Sequence, residues 1–138
     1  MRSVTQQDSY GCSLACISFL VKKEYQQIAT LVRKEQAQTK GFTCKELIKI
    51  LLYFNLDYEY KYLKPRWKSK IYQEGVIVFI KRSKRYPSGH YLIRSNNLWM
   101  DPWINFNPQA EIENAKSSFR KRLPGRPIYA LFPKNTHK

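Results

Sequence analysis

Residues 5–16, Thr5-Gln6-Gln7-Asp8-Ser9-Tyr10-Gly11-Cys12-Ser13-Leu14-Ala15-Cys16, decide how the rest of this chain is read. A polar, turn-prone run stops at Gly11. Cys12 then opens an apolar run through Val21 that reads as a helix buried over most of its surface. The first turn of such a helix has unpaired N–H groups and the positive end of the helix dipole. A thiol placed there is favoured in its anionic form, and the thiolate is the nucleophile. Six residues before Cys12, the Gln6 amide could supply the N–H that acyl transfer needs to hold an oxyanion. Gln7 is a second candidate for that donor.

Working outward, Tyr25 to Glu35 carries Ile28, Leu31 and Val32 at helical spacing and predicts a second helix. Thr43, with Glu46 three residues on, predicts a capping box at the head of a helix that ends at Asn55 and packs on the first. The pattern then changes. Residues 56–63 alternate, Gly75 to Ile80 is continuously apolar and predicts a central strand, and His90 to Arg94 predicts another. Asn96-Asn97 signals a hairpin turn into Leu98 to Asp101. Ile112, Ala115 and Phe119 suggest a short helix, and Pro127 to Phe132 a last strand, with 133–138 a flexible tail. Helices first and strands second give an α+β fold: N-terminal helices packed on a C-terminal antiparallel sheet, in one domain over residues 1–138.

Composition narrows the function. The 138 residues are 43% hydrophobic and 14% aromatic, which excludes a disordered chain. No apolar run approaches the roughly 20 residues of a membrane span, and no signal peptide is evident, so a cytoplasmic location is expected. Three cysteines are an odd number and suggest no disulfide framework. With only His90 and His137 besides, no zinc spacing exists, and neither metal nor cofactor is expected. Cys16 and Cys44 read as small buried side chains. The formal net charge of +15, from 25 Lys+Arg against 10 Asp+Glu, points to an acidic partner, either a peptide or, as the weaker reading, a nucleic acid.

Two residues complete a constellation around Cys12. His90 begins a strand and Asp101 ends the next, so a hairpin turning at Asn96-Asn97 makes them cross-strand neighbours. A carboxylate there would fix the imidazole tautomer for a base that serves Cys12. Taken singly, each residue has an ordinary structural reading. Taken in order, they describe a thiol-dependent active site. Trp99 and Trp103 flank Asp101 and would wall its cleft.

The set Gln6-x5-Cys12-Ser-Leu-Ala, Gly-His90-Tyr-Leu-Ile and Asp101-Pro102 resembles the papain-like cysteine peptidases that process double-glycine leader peptides, which occur within peptide-exporting transporters and as stand-alone relatives. Gly41-Phe42-Thr43 and the apolar helix to Phe54 resemble the same family, and the likeness spans roughly residues 3–133. The resemblance implies a papain-like fold and a cysteine peptidase acting on a peptide or protein, here expected to be stand-alone. It implies Cys12 as nucleophile, His90 as general base and acid, Asp101 as its orienter, and Gln6 with the Cys12 backbone N–H as oxyanion hole. The family usually has an acidic residue or Asn before the cysteine and Gly after it. Here Gly11 gives room for a tight turn, and Ser13 places a side chain where substrate would run. The alternatives are a catalytically idle papain-like domain that binds a peptide and a nucleic-acid-binding module.

Overall fold

The computed structural model describes residues 2–134. Five α-helices run over Cys12–Val21 (α1), Tyr25–Ala29 (α2), Lys34–Thr39 (α3), Cys44–Tyr53 (α4) and Pro65–Lys68 (α5). Six strands, Tyr58–Tyr62 (β1), Ile77–Ile80 (β2), His90–Ser95 (β3), Leu98–Asp101 (β4), Ser118–Arg120 (β5) and Pro127–Pro133 (β6), form one sheet in the order β1-β6-β2-β3-β4-β5. Every pairing is antiparallel.

The apolar run of α1 does what its composition requires. Ser13 through Phe19 are all buried, with α1 against β3 and α2. α4 starts as its capping box predicts: Thr43 Oγ1 accepts from the Glu46 N–H at 3.3 Å and Thr43 N–H donates to Glu46 Oε1 at 2.8 Å. Its apolar stripe packs on β1 and β6, more than on α1. β2 lies between β6 and β3, as its continuous apolar run predicts. Its residues divide between two cores. Ile77 joins the helix-side cluster with Leu14, Ile93 and Leu131, while Val78 and Ile80 join a cluster on the other face with Leu63, Leu92 and Trp99. That second face is covered by Trp67, Ile71 and Leu123 from the connecting segments. The sheet is therefore buried on both sides, although the sequence pattern suggests a cover on one side.

Three expectations change. The helix expected over 25–35 is two short ones, α2 and α3. Thr30 Oγ1 donates to the Gln27 carbonyl at 3.0 Å, and i→i+3 bonds from Leu31 and Val32 tighten the turn and end α2. The helix expected around 112–119 is one 3₁₀ turn, Ile112–Asn114, followed by β5. Phe119 pairs with Met100 and sets its ring 5.9 Å from Phe19 at 64°, a contact a helix there would lose. β6 extends through Pro133, and the Lys134 N–H donates to the Asp57 carbonyl at 2.8 Å. Of the tail expected at 133–138, residues 135–138 lie outside the described residues.

Gly89, just before His90, has φ +76. A Cβ there would collide with the Phe79 ring and stand 2.8 Å from the Ile80 carbonyl oxygen. Gly89→Ala should cost more than the roughly 1–2 kcal/mol of a left-handed residue, read as a lowered urea midpoint. An unchanged midpoint would mean this packing is not as described.

Candidate active site

Cys12 is the first residue of α1, partly exposed, and follows Gly11, which supplies no side-chain cap to the helix end. No acidic side chain occupies the first turn. Cys12 Sγ accepts the Tyr91 backbone N–H at 3.4 Å, which ties the helix start to β3. The Tyr91 hydroxyl donates to the Phe42 carbonyl at 2.9 Å, binding β3 to the segment before α4. Gly11 is there for a different reason from the one its sequence position suggests. Its φ of −99 suits any residue, but a side chain would strike the Tyr25 hydroxyl. That hydroxyl donates to Asp8 Oδ2 at 2.7 Å, and the Gly11 N–H donates to the Asp8 carbonyl at 3.0 Å.

The hairpin forms as the Asn pair predicts. Asn96 and Asn97 have φ of 51 and 64, the positive pair a two-residue primed turn needs. Its register pairs Ser95 with Leu98, Arg94 with Trp99 and Ile93 with Met100. Continued one step, it sets Asp101 across from Leu92, so His90 is a diagonal neighbour on the same face. A long side chain spans that diagonal. His90 Nε2 donates to Asp101 Oδ1 at 2.6 Å. The other ring nitrogen, Nδ1, is left free to serve the Cys12 thiol, whose sulfur is tied to the neighbouring residue's N–H.

Asp101 is wholly buried, yet its carboxyl is held below the ordinary carboxylate range. Burial pushes the other way and is outweighed by His90, by the Trp103 N–H at 3.0 Å to Oδ1, and by Arg120 Nη1 at 2.8 Å to Oδ2. For His90, burial favours the neutral ring. The hydrogen bond to Asp101 and the proximity of the Cys12 sulfur outweigh it and push the imidazole up to about 9. The His90 ring also stacks on Tyr86, centroids 4.9 Å apart at 8°, with Phe106 beside both.

Sequence reasoning missed Arg120, Tyr86 and Phe106. Arg120 sits in a basic run that looks like solvated surface, and nothing local marks its carboxylate. Of the walls expected, Trp103 lines the cleft. Trp99 does not: it is buried in the far-face core with the Arg94 guanidinium 5.1 Å over its ring. Ser13 does not either, because α1 turns it inward to full burial. Gln6 lines the cleft beside Cys12 and is buried. Its Nε2 donates to the Asp8 and Ser9 carbonyls at 3.0 and 3.2 Å, and its Oε1 has no partner.

The cleft has a volume of about 870 Å³ and runs between the helices and the sheet. Cys16 and Cys44 are free thiols, both pushed up chiefly by burial. Among the described residues no three His, Cys, Asp or Glu side chains gather as a metal would require, and no helix is long and apolar enough to cross a membrane.

The chain is similar to two solved peptidase domains. One is the peptidase domain of Streptococcus ComA, a bi-functional ABC transporter involved in a quorum-sensing pathway. It is 18% identical, with a TM-score of 0.56 over 95% of this chain and 97% of that one. The other is a double glycine motif protease from an AMS/PCAT transporter in complex with its leader peptide, 14% identical, with a TM-score of 0.48 over 96% of this chain and 91% of that one. Among curated proteins none matches. The likeness to ComA shows the papain-like α+β fold. The model of the Peptidase C39 family matches residues 1–121, so this chain belongs to that family of cysteine peptidases.

Proposed function

We propose that the chain cleaves a peptide bond with Cys12 as nucleophile, His90 as acid and base, and Asp101 as the group that orients His90. One observation carries this reading: a buried imidazole is held to a buried carboxylate at 2.6 Å, and the N–H of the next residue, Tyr91, reaches the sulfur of a helix-start thiol at 3.4 Å. The Cys12 thiolate attacks the amide carbonyl. His90, protonated at Nδ1, gives that proton to the leaving amine, and a thioester remains on Cys12. Water then attacks the thioester, His90 takes its proton, and the acid product departs as the thiolate re-forms. Asp101 keeps the Nε2–H in place throughout, which leaves Nδ1 facing the reaction.

The oxyanion would be held by the Cys12 backbone N–H and by Gln6. An N–H of Gln6 Nε2 must be shared between its loop carbonyls and the substrate to do this. The substrate is a peptide, of the leader type that the Gln, Cys, His and Asp motifs imply.

Cys12→Ala should abolish turnover of a peptide substrate while leaving the thermal melt unchanged; full activity in that variant would end the proposal. Gln6→Ala should lower kcat about a hundredfold or more, the loss of one oxyanion donor. A parent-like kcat would assign the hole elsewhere. The pH profile has a definite sign. His90 must carry its proton to release the amine, and its raised value keeps it protonated up to about pH 9. Activity should therefore persist below that pH and fall as pH rises through about 9. Asp101→Asn should move this alkaline limb to lower pH and reduce kcat, because the carboxylate no longer favours the imidazolium. An unmoved limb would show that Asp101 does not set the state of His90.

A further inference from the structure

The loop between β2 and β3 leads straight into the site, and it is strongly basic. Residues 81–89 hold Lys81, Arg82, Lys84 and Arg85 and no acidic residue. All four cations are exposed. Arg126, also exposed, joins them from the connection before β6, where the Lys81 N–H donates to the Arg126 carbonyl at 2.8 Å. Residues 121–127 likewise contain no carboxylate. Among the described residues none of these five cations is in an ion pair; the nearby Asp101 is occupied by His90 and Arg120.

This cluster borders the cleft. Of these five cations Arg82 lines it, and residues 86–90, which carry the same loop on to His90, line it as well. The opposite wall adds Lys40 and Lys45. Its carboxylate, Glu46, is already taken by the Thr43 N–H and the Gln36 amide. The other long basic stretch, residues 64–70, contributes nothing to the cleft lining, and its Lys70 closes with Lys61 on the Trp67 ring instead.

From this placement we infer that the peptide cleaved at Cys12 carries an acidic segment next to its scissile bond, and that Arg82, Lys84, Arg85 and Arg126 hold that segment as it leaves the cleft. The inference rests on the peptidase reading and adds the chemistry of the substrate. Uncompensated cations beside a concave site concentrate an oppositely charged ligand, an effect that falls with salt. A peptide satisfies both halves of the surface, because one chain can lie on the cations and still pass its backbone by the thiol.

The test is protection of Cys12 from iodoacetamide, read by peptide mass mapping. The probes are a hexaglutamate run placed before or after Gly-Gly, with hexaglutamine counterparts. One hexaglutamate peptide should protect at a concentration about tenfold below its hexaglutamine counterpart at low salt. That advantage should shrink at high salt and disappear in a Lys84→Glu/Arg85→Glu/Arg126→Glu variant and in its Gln equivalent. Equal protection by both peptides, or an advantage that survives both variants, would overturn the inference. So would an oligouridylate of equal charge that protects where neither hexaglutamate peptide does; the surface would then serve a nucleic acid. Fluorescence anisotropy of a labelled hexaglutamate–Gly-Gly peptide on the Cys12→Ala protein reads the basic surface separately. Cys12 unreactive with tight, variant-sensitive binding would sink the peptidase reading alone, and reactive Cys12 without binding would sink this inference alone.

Discussion

A carboxylate with no solvent exposure constrains this molecule more than any other group. An ionised carboxylate taken out of water costs several kcal/mol unless it is paired and hydrogen-bonded. Asp101 meets that demand with three donors from three places: His90 at the start of β3, the Trp103 N–H just past β4, and Arg120 at the end of β5. The need to satisfy one buried charge therefore draws three strands together at the cleft. It also fixes the imidazole, because a ring held at Nε2 by a carboxylate has only Nδ1 left to present. Tyr86, Phe106 and Trp103 close over the arrangement and keep water from competing for it.

The thiol reaches this base through packing on the other side of the sheet. α1 is apolar on nearly every face, so it can only sit deep, and it sits against β3. Its first residue is then level with the first residues of that strand, and the Tyr91 N–H closes the joint onto Cys12 Sγ. Gly11 allows the approach by leaving room for the Tyr25 hydroxyl, which in turn satisfies the buried Asp8. The helix start is thus held by a second buried carboxylate. In both halves of the site, a buried carboxyl that must be hydrogen-bonded sets the position of a candidate catalytic group.

Much of this was legible in the residues. The continuous apolar run at 75–80 could only be a central strand, and the Asn96-Asn97 pair dictated a hairpin whose ends bring His90 and Asp101 together. The Thr43–Glu46 box gave the start of α4. The misses have physical causes. β5 is a three-residue strand whose single buried ring, Phe119, falls at helical spacing from Ile112 and Ala115, so pairing with β4 overrides the local pattern. Arg120 was lost with it. Trp99 and Trp103 could not be told apart because β3 and β4 are buried on both faces, and alternation then carries no inside or outside. Gly11 looked like a backbone requirement, but its constraint comes from a tyrosine fourteen residues away in the sequence, which no local reading shows.

The central claim is that His90, held by Asp101, makes Cys12 a nucleophile. The rate of Cys12 alkylation by iodoacetamide as a function of pH, in the parent and in His90→Ala, tests it most directly. A free thiol ionises near roughly 8.5 and labels slowly in acid. At each pH Cys12 should label ahead of Cys16 and Cys44, whose thiols burial pushes up, and His90→Ala should remove the advantage. A Cys12 that labels no faster than the two buried thiols, or just as fast without His90, would contradict the account.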